Sequence, residues 1–202
     1  MGARIVVLVS GGGSNMIALV GACRAGDVPG EVVAVVADRP CGGIDLAQRA
    51  GIETAVLDPH GFASREEWSA RLRDLVDAFG PDLVVSAGFM RILAPVFVSA
   101  FSGKLINLHP SLLPAYPGAH AVRDALKDCV SVTGTTIHFV DDQVDHGPAI
   151  LQHEVPIEPG DDETTLHDRI KAAEHRLLPE ACRLVLSGRV VLDENGVRRT
   201  DA

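Results

Sequence analysis

Short apolar runs alternate with amphipathic stretches through the first half of the chain. The runs are bounded by glycine, proline or polar residues, which is typical of buried strands, and the stretches between them repeat apolar residues at helical spacing. Strands are predicted at Ile5–Val9, Val32–Ala37, Ala55–Leu57, Leu83–Ser86 and Lys104–Leu108, and helices at Asn15–Ala25, Ile44–Ala50 and Ser64–Phe79. This alternation predicts an α/β fold with a doubly wound, mostly parallel sheet.

The pattern changes in the second half, after a helix predicted at Ala119–Lys127. Two β-rich runs, Thr133–Val140 and Ala149–Ile157, are joined by the acidic segment Asp141–Pro148. Since consecutive strands with a short connection pair antiparallel, these runs predict a long hairpin that forms an antiparallel edge on the sheet.

The last part of the chain carries one long periodic stretch. Apolar residues recur every three or four positions from about Asp162 to Leu186, which predicts a long C-terminal helix. Pro179 should bend this helix. Beyond it, Arg189–Arg199 contains the pair Asn195-Gly196, which is typical of a hairpin turn.

Composition narrows the class of protein. Hydrophobic residues make up 47% and charged residues 22% of the 202 residues, values typical of one globular domain with a full core. No apolar run is long enough to cross a bilayer and no secretory signal opens the chain, so we expect a cytoplasmic protein with no membrane partner. The net charge of -9 argues against a nucleic-acid partner. The four cysteines form no C-x-x-C pair, which predicts free thiols and no metal site.

The most informative segment runs from Asn107 to Gly118 and reads NLHPSLLPAYPG. Asn107 and His109 occupy alternate positions at the end of a predicted buried strand, so their side chains should share one face of the sheet. Pro110 then ends the strand. Ligands of open α/β sheets bind at the carboxyl ends of the strands. An amide and an imidazole in this place suit acyl-type transfer, in which the amide holds an oxyanion and the imidazole moves a proton.

A glycine-rich loop, Ser10–Asn15, joins the first strand to the first helix. Such a loop can bind an anion through backbone amides, or it can be a plain tight turn with Ser14 or Asn15 as helix cap. A dinucleotide site is the third interpretation, with Asp38 at the end of the second strand as the ribose-binding acid. Met16, however, occupies the position of the last glycine of that motif.

The acidic segment Asp141–Pro148 also has two interpretations. Carboxylate-rich hairpin loops are usually solvated. Alternatively, Asp145 faces His109, fixes its tautomer and stabilises the imidazolium form. The sequence alone does not decide between them.

Four segments of this chain resemble the folate-dependent formyltransferase family, and within it the phosphoribosylglycinamide formyltransferases. They are Gly11–Asn15, Gly88–Leu93, Asn107–Pro114 and Val144–Pro148, and the resemblance runs from Ile5 to about Gly188. It implies a Rossmann-like formyltransferase fold. It also implies an enzyme of purine biosynthesis that transfers the formyl group of 10-formyltetrahydrofolate, its cosubstrate, to the amine of N1-(5-phosphoribosyl)glycinamide.

The resemblance implies roles for individual residues. The catalytic residues would be Asn107, His109 and Asp145. The ribonucleotide would be bound by Gly12, Gly13, Ser14, Asn15 and Glu174, with Lys171 added because it lies one helical turn before Glu174. The folate would be bound by Arg65, Met90, Arg91, Ile92, Leu93, Asn107, Asp141, Asp142 and Asp145. No metal is implied.

The resemblance also implies one formyltransferase domain over residues 1–202. Residues 1–108 would form a phosphate-binding half, 109–188 a folate-binding and catalytic half, and 189–202 a C-terminal hairpin. The partners would be the two small-molecule substrates, and a homodimer is left open. A methionyl-tRNA formyltransferase would need a basic face and a further RNA-binding domain, and a formyltetrahydrofolate hydrolase would lack the intact phosphate loop. The acidic charge and the glycine loop therefore favour the ribonucleotide acceptor.

Overall fold

A central sheet of seven strands organises the chain, of which the computed structural model describes residues 2–194 and 196–200. Its strands are β1 (Ala3–Val9), β2 (Gly30–Ala37), β3 (Glu53–Val56), β4 (Leu83–Ser86), β5 (Leu105–His109), β6 (Val132–Phe139) and β7 (Ala149–Pro156). They lie in the order β3-β2-β1-β4-β5-β6-β7.

The strand directions confirm the predicted fold class. β1 pairs in parallel with β2 and β4, and the parallel pairing continues outward to β3 on one side and β5 on the other. β6 and β7 then add an antiparallel edge. The strand order reverses between β1 and β4, and in open α/β sheets the crevice at the carboxyl ends beside this point is where ligands bind.

Helices cover both faces of the sheet. They are α1 (Ser14–Ala25), α2 (Gly42–Arg49), α3 (Arg65–Asp77), α4 (Pro95–Val98), α5 (Ala121–Lys127) and α6 (Glu163–Leu186), with single 3₁₀ turns at Pro59–Gly61 and Ser99–Phe101. After α6, β8 (Val190–Asp193) and β9 (Gly196–Arg199) form a small antiparallel hairpin, as predicted, although Asn195 of its expected turn lies outside the described residues.

The core has one layer on each face of the sheet. Val7 of β1 packs with Met16 of α1 and Leu178 of α6 in the first layer. The neighbouring Leu8 packs with Trp68 of α3 in the second layer. Adjacent residues of β1 therefore contribute to opposite layers because side chains on a strand alternate between its faces.

Most predicted elements are present, with shifted ends. The Ser64 hydroxyl caps α3 by accepting from the Glu67 amide at 3.1 Å, as expected for a capping box. Helix α6 runs without interruption through Pro179, so the expected bend stays a prediction. Helix α4 was not predicted, because four residues are too few to show a helical period. Within the described residues, no helix is long and apolar enough to span a membrane.

Replacement of Phe97 by alanine tests the second core layer. Phe97 is completely buried in α4, with its ring centroid 4.8 Å from that of Phe101. We expect Phe97→Ala to lower the free energy of unfolding by about 3–5 kcal/mol in urea denaturation, because it removes buried area and leaves a cavity. Val132→Ala, at a 41% exposed position, should change it by less than about 0.5 kcal/mol. Equal effects of the two variants would contradict this description of the core.

Candidate active site

The site is built around the carboxyl end of β5. Leu108 packs in the core layer next to α1 and α6, whereas Asn107 and His109 face the other way and line a cleft. This arrangement confirms that the two polar side chains share one face. His109 is nearly enclosed, with only 5% of its side chain exposed, so its two ring nitrogens contact mainly protein atoms.

Strand β6 places a second histidine beside Asn107. Residues Asn107 and His138 are directly opposite each other in the antiparallel ladder, and Asn107 Nδ2 lies 3.2 Å from His138 Nε2. His138 Nδ1 donates to the Phe139 carbonyl at 2.8 Å, so Nε2 is free to accept from the amide. Burial lowers the pKa of His138, although the Phe139 carbonyl and the Asp145 carboxylate oppose this shift. A neutral His138 thus fixes the Asn107 amide and leaves its second N–H for a ligand.

The structure brings Asp145 to His109. Asp145 Oδ2 lies 3.3 Å from His109 Nδ1 and also accepts from the Gly118 amide at 2.8 Å. On the other side of the ring, His109 Nε2 lies 2.8 Å from the Tyr116 carbonyl oxygen, which can only accept. Both ring nitrogens therefore face acceptors, and the imidazolium form satisfies both contacts. The contact that the sequence left open is present.

Unusual backbone geometry holds the two contacts of His109. Tyr116 and Asp145 both have φ of 53°, the left-handed region that non-glycine residues rarely adopt. Such conformations persist only where the surrounding structure imposes them, and they are frequent at functional sites. Gly147 helps to impose the conformation of the loop that carries Asp145, since a Cβ at residue 147 would overlap the carbonyl oxygen of Phe139. The close approach folds the segment Asp141–Pro148 back onto the end of β6.

An apolar cleft of about 480 Å³ opens beside these polar groups. Met90, Ile92 and Val144 line it although they are 65%, 57% and 53% exposed. Exposed apolar side chains around a concave site with a few convergent polar groups are typical of a ligand pocket. Of the residues predicted to bind folate, the cleft lining includes Met90, Arg91, Ile92, Leu93, Asn107, Asp141, Asp142 and Asp145. Arg65 is not part of this lining and pairs with Glu66 at 3.3 Å.

The glycine loop leads into helix α1 without a side-chain cap from any residue that the structure describes. Helix α1 follows Gly13, which has φ of 78°, and no side chain of the described residues caps the helix. Neither Ser14 nor Asn15 is therefore the cap that a plain turn would use, and the first-turn amides are left to bind a ligand. Residue 13 must be glycine because a Cβ there would lie 2.6 Å from Gly43 Cα. Gly12 and Ser14 are exposed beside it.

A buried carboxylate connects this loop to β5. Glu174 of α6 is only 4% exposed, and Asn15 Nδ2 donates to its Oε2 at 2.7 Å. Thr135 Oγ1 lies 3.3 Å from Glu174 Oε1 and 3.2 Å from the His109 carbonyl oxygen. The Asn15 Oδ1 atom is buried with no partner in the described part of the chain, so it can accept from a ligand. Lys171, one turn earlier, pairs with Asp168 at 3.4 Å.

Several residues of the site were missed or undervalued by sequence reasoning. His138, Thr135 and Tyr116 carry no motif in the sequence, because their roles depend on strand register and on a backbone carbonyl. His146 pairs with Asp141 at 2.9 Å rather than with Asp145. His120 is exposed at the start of α5.

Comparison with known proteins defines the class. The chain belongs to the formyl transferase family, which matches residues 3–182. It is therefore an enzyme of the formyltransferase class, as predicted.

Individual relatives show which members of this family the chain is similar to in sequence and structure. Phosphoribosylglycinamide formyltransferase of Escherichia coli (strain K12) is 44% identical over 193 residues, which cover 95% of this chain and 91% of that protein. The enzyme of the same name from Mycobacterium tuberculosis (strain CDC 1551 / Oshkosh) is 49% identical over 179 residues, 89% and 83% of the two chains. The crystal structure of glycinamide ribonucleotide transformylase 1 from Symbiobacterium toebii matches with a TM-score of 0.95 and 45% identity, covering 98% of this chain and 94% of that one.

Gly147→Ala tests whether the loop geometry sets the site. The added methyl group must move the loop away from Phe139 and with it Asp145. We expect kcat for formyl transfer to fall roughly 100-fold, since displacement by about 1 Å costs this much in rate. Gly21→Ala is the matched control, because a Cβ at that helical position has open space. Wild-type kcat in Gly147→Ala would show that the loop position does not matter.

Proposed function

We propose that this enzyme transfers the formyl group of 10-formyltetrahydrofolate to the amine of N1-(5-phosphoribosyl)glycinamide, a step of purine biosynthesis. One observation carries the proposal. The cluster of Asn107, His109, His138 and Asp145 lies at one end of an apolar cleft, and Thr135 and Glu174 connect it to an uncapped helix start. A site with this layout accommodates an aromatic donor on one side of the cluster and a phosphorylated acceptor on the other. The relatives that carry this name support it.

The donor binds in the cleft. Its pterin ring lies against Met90, Ile92 and Leu93, and polar atoms of the Asp141–Asp145 segment face the ring edge. Apolar walls with few polar groups are what a flat heteroaromatic ring requires. The formyl group on N10 then points to Asn107 and His109 at the end of the cleft. Arg65 lies at the first turn of α3 and stays a predicted contact of the glutamate carboxylates.

The acceptor binds at the glycine loop. Its phosphate lies at the backbone amides of Gly12, Gly13, Ser14 and Asn15, where the helix dipole favours an anion in this otherwise acidic protein. The ribose hydroxyls donate to Glu174, whose buried carboxylate already accepts from neutral donors. Lys171 supplies positive charge near the phosphate. The glycinamide amine is then directed at the end of β5.

The reaction is a direct acyl transfer. The amine nitrogen attacks the formyl carbon, a C–N bond forms, and negative charge develops on the formyl oxygen. Asn107 donates its second amide N–H to this oxygen, and the positive charge of the His109 imidazolium, which Asp145 and Tyr116 hold in place, stabilises it electrostatically. The attacking nitrogen then loses a proton and N10 gains one as the C–N10 bond breaks. Asp145 accepts and returns this proton through its contact with His109, and His138 keeps Asn107 oriented.

The two halves of the domain contribute different parts of the proposed site. Residues 1–108 supply the phosphate loop and the apolar wall of the cleft, and 109–188 supply Glu174 and the Asp141–Asp145 side of the cleft. Strands β8 and β9 form the hairpin that follows α6. The two halves share a single sheet, because β5 of the first pairs with β6 of the second.

Single substitutions at the catalytic cluster test the assignment. Asn107→Ala should lower kcat roughly 10²–10³-fold, the effect of removing one oxyanion donor. His109→Ala and Asp145→Ala should each lower it roughly 10²–10⁴-fold through loss of proton transfer. The Michaelis constants of both substrates should change little, measured by steady-state assay of tetrahydrofolate release. Near-normal kcat in His109→Ala would reject the proposed mechanism.

Acceptor dependence tests the reaction itself. The purified protein is incubated with 10-formyltetrahydrofolate, and deformylation is followed with and without the ribonucleotide. We expect turnover only when the ribonucleotide is present, with formylated ribonucleotide formed in equal amount. Deformylation without the ribonucleotide would instead indicate hydrolysis. The absence of any deformylation would reject the donor.

A further inference from the structure

Asp38 lies at the end of β2, in the position where a dinucleotide-binding protein would hold a ribose. Here its side chain is fully buried and already occupied. Arg91 Nε donates to Asp38 Oδ2 at 2.6 Å, and Arg39 approaches at 3.4 Å. Burial alone would raise the pKa of Asp38, but hydrogen bonds from Arg91 and Ser10 and the charges of both arginines lower it. The carboxylate is therefore ionised and is not free to bind a ribose.

The same carboxylate belongs to a set of contacts that fasten one wall of the donor cleft. The Ser10 amide donates to the Gly88 carbonyl at 3.1 Å, and the Met90 amide donates to Ser10 Oγ at 2.8 Å. The Ser10 side chain also helps to lower the pKa of Asp38. We call Ser10, Asp38 and Arg91 the Asp38 cluster. It ties the segment after β4 to the ends of β1 and β2.

Both ends of this wall are anchored in the core, whereas its middle is exposed. Phe89 is buried and its ring stacks on that of Trp68, and the Ala94 amide donates to Ser69 Oγ at 3.1 Å. Met90 and Ile92 are 65% and 57% exposed, so little apolar burial fixes them. Residues 87–94, all of which the structure describes, belong to no helix or strand. The position of the exposed middle, from Met90 to Ile92, therefore depends mainly on the polar contacts of the Asp38 cluster. A charged hydrogen bond to a buried carboxylate is the strongest of these.

We propose that Asp38 is a positioning residue for donor binding, which acts through Arg91 to hold Met90, Ile92 and Leu93 in place as the wall of the folate cleft. The inference rests on the proposed function, since it assigns the donor to this cleft. It gives Arg91 a different role from that of a ligand contact, because its Nε is committed to Asp38 and not to the substrate.

The test compares Asp38→Asn, which keeps the shape and removes the charge, with Arg39→Gln. Arg39 contacts the same carboxylate but not the wall, so its substitution is the matched control. For Asp38→Asn we expect the Michaelis constant for the formyl donor and the Kd for tetrahydrofolate, from titration calorimetry, to rise roughly tenfold or more, because small displacements of a positioning wall are costly. The Michaelis constant for the ribonucleotide and kcat should stay within about threefold of wild type, since the catalytic cluster is untouched.

Two further measurements separate positioning from general destabilisation. Hydrogen exchange should become faster in Asp38→Asn only in peptides that contain Gly88–Leu93. The double variant Asp38→Asn/Arg91→Gln should bind tetrahydrofolate no more weakly than the weaker single variant, because both changes break one contact. If Asp38→Asn does not fold, Ser10→Ala removes the hydroxyl of the same cluster that accepts from the Met90 amide. It should likewise raise the Michaelis constant for the formyl donor and the Kd for tetrahydrofolate.

The outcomes are distinct. Unchanged donor constants in Asp38→Asn, or equal losses for donor and acceptor with faster exchange throughout the chain, would overturn the positioning role while the wild type still transfers formyl groups. A wild-type protein that neither binds tetrahydrofolate nor uses its formyl derivative would overturn the proposed function, and this inference with it.

Discussion

The antiparallel pairing of β5 with β6 is the constraint on which the site depends. The register sets Asn107 opposite His138 and His109 opposite Thr136. A shift of one residue would turn every side chain of β6 to the other face. In the observed register His138 orients the amide, and Thr135 connects β6 to Glu174 and to the β5 backbone. The segment that leaves β6 then returns Asp145 to His109.

Buried polar groups give the site its rigidity. Each such group costs free energy unless it is hydrogen-bonded, so a network whose members satisfy one another has a single favourable arrangement. His109 is fixed at both ring nitrogens by Tyr116 and Asp145. Asp38 is fixed by Arg91. Asn15 Oδ1 is an exception, because it is buried at the edge of the proposed acceptor site without a partner among the described residues. A ligand donor there would complete the network.

The helices and strands were predicted correctly where the apolar residues repeat at strand or helix spacing over enough positions to be recognised. The apolar runs of β1, β2 and β4 and the stripe of α6 are of this kind, and their burial agrees with the pattern. It failed at α4, whose four residues complete only one turn. The strand predicted at Ala55–Leu57 is instead Glu53–Val56, because pairing with β2 decides where an edge strand begins and ends.

The sequence by itself determined the fold class and the family, and it named candidate residues that the structure brings to one cleft. Periodicity and short motifs are encoded in neighbouring positions, and Asn107, His109 and the glycine loop are all of this local kind. Only the tertiary structure decided that Asp145 meets His109, that His138 orients Asn107, and that Asp38 binds Arg91 instead of a ribose. These contacts join residues far apart in the chain, and their geometry follows from strand register and loop conformation. Both are set by the packing of the whole domain, which no local segment specifies.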